Sequence, residues 1–284
     1  MNNAFFIYTF VINSAYLIKS PLKISSKITI LQKYVFLMVA KITRILRIKK
    51  ITIQNFKIVA FDEDALVYLF GEIFVKNIYY FDAKNDSPVI IDCGSNIGVS
   101  ILYFKYLYPN AIIYGFEPDK TTYELLQKNI QVNKLNQVHL YNYAVSNKDG
   151  ELSFYIDESP GNLTMSAIKG RISKKEVKVK QISLANFIKN TLPKNKKVDL
   201  LKMDIEGYED IAIDDLYSKK TLKNINEMII EYHLNIEGTQ PKLGAFLYMF
   251  EKSDYRYTIT MDPFPIFKSN TFQDVVLHLK KQRK

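Results

Sequence analysis

Two kinds of hydrophobic block alternate along most of the chain. Short, solid apolar runs give way to longer stretches in which apolar residues recur every three or four positions. The clearest unit begins at Val89-Ile90-Ile91, closed by Asp92 and followed by the turn Cys93-Gly94-Ser95-Asn96-Ile97-Gly98. Residues 99–108 then offer Ile101, Leu102, Phe104 and Leu107 to one face of a helix. A strand, a tight loop and a helix follow from this pattern. A second buried strand covers residues 111–116 and ends at Glu117; Pro118-Asp119 opens a helix to about residue 133, with Asp119 as its N-cap. Residues 138–142 form a third strand. Residues 152–156 and 177–182 read as short strands, 184–191 as a helix, and 198–204 and 227–233 as buried strands. A helix over 243–253 and a closing antiparallel pair, 255–260 with 271–279, complete the chain. Upstream, residues 51–53 and 56–59 suggest a small strand pair and 65–76 a helix. Strands alternating with helices predict an α/β fold: a Rossmann-like, doubly wound, mostly parallel sheet with a helical N-terminal extension. Residues 1–82 form the extension and bridging elements, and residues 83–284 the main domain.

The chemistry expected of this fold gathers where its parallel strands end. Gly94 and Gly98 let backbone approach a ligand without a Cβ in the way, and the first N–H groups of the following helix face that ligand. An acid at the tip of the next strand, Glu117, is placed to accept hydrogen bonds from both hydroxyls of a ribose. A dinucleotide fingerprint needs G-x-G-x-x-G, but Asn96 occupies the middle position and Val99 the last. The pattern Asp92-x-Gly94-x-x-x-Gly98 followed by Phe116-Glu117-Pro118 instead resembles motifs I and II of S-adenosylmethionine (SAM) methyltransferases. Cofactor contacts are therefore expected at Asp92, Gly94, Asn96, Gly98 and Glu117, and at Asn142, which sits at the tip of the third strand. Further on, Asp204, Glu206, Glu231 and His233 stand at or beside strand tips. Glu231 and His233 are two apart, so in a strand they point to the same side.

Charge changes the picture mainly at the N-terminus. The chain carries a net charge of +10. Residues 1–50 hold nine basic residues (Lys19, Lys23, Lys27, Lys33, Lys41, Arg44, Arg47, Lys49, Lys50) and no acid, leaving residues 51–284 close to neutral. A near-neutral main domain gives no electrostatic footprint for a nucleic-acid substrate. The apolar run 4–18 is too short for a comfortable transmembrane helix, and it lacks the flanks of a signal peptide. Over residues 28–48, Lys33, Lys41, Arg44 and Arg47 fall on one side of a helical wheel, with Leu31, Met38, Ile42, Ile45 and Leu46 opposite. Such a basic amphipathic helix suits docking on the main domain, self-association, or contact with an anionic membrane surface. A lone cysteine, Cys93, excludes an intrachain disulfide, and with three histidines and no C-x-x-C a structural zinc site is not expected. A reducing, cytoplasmic setting is expected, with peripheral placement at the inner face of the membrane as the alternative.

Over roughly residues 86–234 the chain resembles the FkbM family of SAM-dependent methyltransferases. The resemblance rests on residues 91–98, on Phe116-Glu117-Pro118, on Asn142-Tyr143-Ala144-Val145-Ser146, on Leu201-Lys202-Met203-Asp204-Ile205-Glu206-Gly207-Tyr208-Glu209, and on Ile230-Glu231-Tyr232-His233. It implies a class I methyltransferase fold, SAM as cofactor, and O-methylation of a hydroxyl on a sugar, polysaccharide or natural-product precursor. Asp204, Glu231 and His233 are the catalytic candidates. Two roles remain open for them. His233 or Asp204 takes the hydroxyl proton directly, or Asp204, Glu231 and His233 hold a Mg or Mn ion that acidifies the hydroxyl. Asn162, Thr164 and Ser166, in the long polar stretch 157–175, are candidate contacts for a hydroxylated acceptor. Alternatives are an NAD-dependent oxidoreductase on the same core, or methylation of a protein.

Overall fold

A computed structural model describes residues 3–43, 47–156, 165–166, 175–193, 196–236, 240, 242–261 and 273–282. The chain forms two compact units. One comprises residues 1–82, 95–109 and 121–136, and the other residues 83–94, 110–120 and 137–284. The helices that follow the first two main-domain strands thus group with the N-terminal region, a grouping that chain order alone does not convey.

The first unit opens with α1 (Asn3–Lys19) and α2 (Ile24–Thr43). The strands β1 (Lys50–Ile53) and β2 (Phe56–Val59) pair antiparallel, and α3 (Glu63–Leu69) continues into a π-helical turn, Phe70–Val75. Asp62 caps α3 through a 2.8 Å bond from Ala65 N. The remaining helices are α4 (Val99–Leu107) and α5 (Lys120–Val132). Asparagines on and just after α5 satisfy the free edge of β2. Asn129 donates to Val59 O and accepts from Val59 N, while Asn133 does the same to Lys57. Residues four apart on a helix share a face, so the two amides act as a substitute strand. Leu17, Ile30, Tyr34 and Leu37 are buried, and Tyr34 OH accepts from Asn13 Nδ2 at 2.8 Å. The wheel expected for α2 holds only in part: Met38 is buried, but Ile42 faces solvent and Lys41 is half-buried beside Asp64 at 2.8 Å. The helix is apolar around most of its circumference, so polarity alone does not select the face that docks.

The second unit is built on a seven-stranded sheet. Its strands are β3 (Val89–Cys93), β4 (Ile112–Phe116), β5 (Val138–Tyr141), β10 (Val198–Met203), β11 (Ile225–Leu234), β12 (Tyr255–Met261) and β13 (Gln273–Lys281), in the order β12-β13-β11-β10-β3-β4-β5. β13 runs antiparallel to both β11 and β12, and the other pairings are parallel. Six strands therefore point one way and β13 alone is reversed. A smaller sheet joins β6 (Ala144–Ser146), β7 (Gly150–Ile156), β8 (Met165–Ser166) and β9 (Lys175–Ser183) in the order β6-β9-β7-β8. Three helices belong to this unit: α6 (Leu184–Thr191), α7 (Glu209–Ser218) and α8 (Leu243–Glu251). Phe187 of α6 meets Phe116, Tyr141 and Tyr114 edge-on, with centroids 4.9, 5.2 and 5.7 Å away. Phe246 of α8 packs on Tyr232 of β11 at 4.5 Å. All five residues of β3 are buried, as its unbroken apolar run requires of a central parallel strand.

Candidate active site

Backbone hydrogen bonds tie neighbouring strand tips of the second unit together. Asp204 N donates to Cys93 O at 3.1 Å, Gly94 N to Phe116 O at 3.0 Å, and Glu117 N to Tyr141 O at 3.1 Å. The tips of β10, β3, β4 and β5 are thereby held in line. Gly94 adopts φ +78, and a Cβ there would lie 1.8 Å from the carbonyl oxygen of Asp204. The glycine is required by the backbone of β10's exit, a closer cause than the ligand approach that its spacing suggests. Lys202 reinforces the same junction. It is almost fully buried, and its Nζ donates to Gly94 O at 2.6 Å and Cys93 O at 3.3 Å while facing Asp92 at 3.3 Å and Asp204 at 3.8 Å. Burial opposes its charge, yet Asp92, Asp204 and Glu231 together raise its pKa. In the sequence Lys202 opens the Lys202-x-Asp204-x-Glu206-Gly207-x-Glu209 block, but nothing there gives it a place at the site.

Glu117 ends β4 with a carboxylate that is only 5% exposed. Its Oε1 accepts from Asp119 N at 2.9 Å, and Asn142 Nδ2 donates to the carbonyls of Glu117 and Pro118, both at 2.9 Å. Asn142 therefore fastens the turn that presents Glu117. Cys93 is fully buried, and burial raises its thiol pKa strongly, so it acts as a small strand residue and not as a nucleophile.

Asn96 and Gly98 begin the helical stretch of the first unit. Asn96 has φ 48 and Gly98 φ 88. Asparagine tolerates the left-handed region better than other residues with a Cβ, so Asn96 serves where a dinucleotide fingerprint has glycine. Its Oδ1 accepts from Ile97 N at 2.6 Å. Gly98 N closes the turn onto Ser95 O, and a Cβ at Gly98 would strike Leu126 Cδ1 at 2.5 Å.

The densest charge cluster lies where β10 and β11 end. His233 is buried, with Nδ1 2.9 Å from Glu209 Oε1; that oxygen also accepts from Ile205 N and Gly207 N. The other ring nitrogen, Nε2, faces Glu206 at 3.3 Å, Asp274 at 3.6 Å and Asp204 at 3.8 Å. Burial opposes protonation of His233, but Glu209, Glu206 and Asp204 outweigh it and lift its pKa to about 10. Its acidic surroundings favour the protonated ring. Glu231 is also raised, which in a carboxyl favours the neutral form. Burial first and Asp204 second raise it to about 8, against the pull of His233 and Lys202. Glu206 sits at φ 58 beside Gly207 at φ 103, a left-handed turn that delivers the chain from β10 into α7.

Two overlapping sets of side chains bring ligand-type atoms within 4.8 Å of one another: Asp204, Glu206 and His233, and Glu231, His233 and Asp274. The expected trio of Asp204, Glu231 and His233 thus gathers around His233 but divides between the two sets. Asp274, opposite His233 in the β11–β13 register, and Glu209 are the members that sequence reasoning did not place at the site. Ser166 lies in β8, whereas Asn162 and Thr164 fall outside the described residues.

The strand order, the single reversed strand next to the edge, the glycine turn after β3 and the acid closing β4 define a class I methyltransferase-type fold. Residues 92–257 match the sequence model of the Methyltransferase FkbM domain, and the chain belongs to that family. Methyltransferase sdnD from Sordaria araneosa is 28% identical over 231 residues, 69% of this chain and 83% of its own length. Methyltransferase 1 from Beauveria bassiana is 30% identical over 159 residues; the match covers 50% of this chain and only 64% of that protein. 2-O-methyltransferase NoeI from Sinorhizobium fredii is 24% identical over 52% of this chain and 65% of its own. A crystal structure of methyltransferase FkbM from Methylobacillus flagellatus overlaps 75% of this chain and 53% of its own, at 14% identity and a TM-score of 0.46.

Proposed function

We propose that this chain methylates a hydroxyl group, on a sugar or on a polysaccharide or natural-product precursor, with SAM as donor. The observation that carries the proposal is the cluster at the ends of β10 and β11, in which Glu209 fixes the His233 ring and Asp204 lies alongside it with partial exposure. The family and the name of the NoeI relative, an O-methyltransferase, support oxygen as the acceptor atom.

The residues present fit the cofactor. Glu117 offers a buried carboxylate on a turn locked by Asn142, suited to two ribose hydroxyls. SAM bound there would supply an electrophilic methyl carbon and a neutral thioether leaving group. The protein's part is to hold an alcohol oxygen in line and to remove its proton. Glu209, Glu206 and Asp204 draw His233 toward its protonated form, which cannot accept that proton, so in this reading the partly exposed Asp204 carboxylate is the base. Asp204 would take the hydroxyl proton at a carboxylate oxygen. His233, kept charged by Glu209, balances the negative charge of Asp204 and Glu206. Glu231, whose carboxyl is raised by burial and by Asp204, stands two residues from His233 on the same strand.

A second reading keeps the same side chains as ligands of a divalent cation. It is favoured by the two overlapping sets around His233 and by Glu209 behind the ring, the arrangement in which a carboxylate orients a metal-binding histidine. Asp204→Asn separates the readings from failure of the fold. Turnover of labelled SAM with hydroxylated acceptors falls about 10²–10⁴-fold while S-adenosylhomocysteine still binds. Retained turnover would remove Asp204 from the proton step. Uptake of Mn by wild-type protein, lost in Asp204→Asn and His233→Ala, would establish the cation reading instead.

A further inference from the structure

The outer surfaces of α1 and α2 break the usual rule for a helical hairpin. Each helix buries one side within the first unit, yet the solvent side is also apolar. Ile18 is 69% exposed, Ile24 75%, Val39 54% and Phe36 49%, with Val11 and Ile28 exposed between them. On α2 they fall into two groups on one face, Ile24 with Ile28 and Phe36 with Val39, separated by the exposed Gln32. Exposed apolar residues scattered singly need no explanation, but grouped ones with lysines beside them mark an interaction surface.

The accompanying charge identifies the partner. Lys19 and Lys23 are exposed where α1 passes into α2, and Lys27 and Lys33 are half-buried further along. Lys27 Nζ donates to Ile18 O at 2.7 Å, closing the end of α1. Residues 1–50 contain nine basic residues and no acid. Against a second copy of the chain, the exposed Lys19 and Lys23 and the half-buried Lys27 and Lys33 of this surface would meet like charge. Against an anionic bilayer, the lysines find lipid phosphates while Ile, Val and Phe enter the acyl boundary. No helix among the described residues is long and apolar enough to cross a membrane. We infer that the α1–α2 hairpin lies in the plane of an anionic membrane surface and anchors the protein there peripherally.

The test is flotation of the full chain with vesicles of phosphatidylcholine alone and of equal parts phosphatidylcholine and phosphatidylglycerol. The protein is expected to float with the anionic vesicles, to be released by high salt, and to stay behind with the neutral ones. F36D/V39D is expected to abolish flotation. K19E/K23E is expected to weaken it by about fivefold or more per lysine. Thermal unfolding checks both variants; the lysine variant, confined to exposed side chains, keeps the test valid should the aspartates disturb folding. Three outcomes would overturn the inference: no flotation with anionic vesicles, flotation unchanged in either folded variant, or a soluble dimer that F36D/V39D dissociates without any lipid binding. The last would assign the surface to a second copy.

Discussion

The two ends of the chain depart from ordinary burial in opposite senses. Around His233, charge lies where a core would be: Lys202, Asp92, Glu209 and His233 are all nearly or fully buried. On the α1–α2 hairpin, large apolar side chains lie where charge would be. The first departure is internally compensated. Lys202 pairs with Asp92 and His233 with Glu209 within 4 Å, and removal of one partner strands the other. The second is not compensated within the hairpin, since these side chains stay exposed among the described residues. A compensated departure points to a built site held for chemistry, and an uncompensated one to a surface awaiting something else.

Substitutions that break the compensation should have the largest effects. Lys202→Met leaves Asp92 buried without its cation and removes the bond to Gly94 O. A loss of about 3–5 kcal/mol is expected, read as a fall in the denaturant midpoint; an unchanged midpoint would mean that the junction does not depend on the lysine. pH sharpens the comparison without mutation. The pKa of His233 is raised in the folded state, from an ordinary 6.5 to about 10. Its stabilising contribution is therefore complete below about 6.5 and is lost as pH rises through about 10. Wild-type stability should decline across that window, and His233→Gln should flatten the decline. Parallel pH curves for the two proteins would show that the imidazolium is not held by its carboxylates. The smallest effect is expected on the hairpin, where Phe36→Asp should change stability by no more than about 0.5 kcal/mol. A large loss would reveal a packing partner for Phe36 and erase the contrast.

Much of the sheet was legible because its strands are solid apolar runs bounded by turns. β3, β4, β5, β10 and β11 lie where those runs lie, and so do the antiparallel elements at the C-terminal edge. The convergence of Asp204, Glu231 and His233 followed from strand ends and from period-two alternation on β11. Long-range register was not legible. Asp274 reaches His233 only because β13 runs back along β11 with those two residues paired, and no local pattern sets that register. Glu209 stood in view as a residue of the turn into α7, but its bond to His233 depends on how α7 packs. At Gly94 the spacing suggests a ligand's approach, whereas the obstruction the backbone shows is the carbonyl of Asp204. On α2 the helical wheel holds only in part: Met38 is buried and Ile42 exposed, Arg44, Ile45 and Leu46 lie outside the described residues, and Tyr34 and Leu37 pack inward.

The central claim is that the turn closed by Glu117 binds the nucleoside of SAM. Calorimetric titration of the full chain with S-adenosylhomocysteine, alongside Glu117→Ala, tests it most directly. The expected result is one-to-one binding by the wild type, weakened by about 1–3 kcal/mol in the variant. Folded protein that takes up no S-adenosylhomocysteine, or a Glu117→Ala variant that binds as tightly as the wild type, would contradict it.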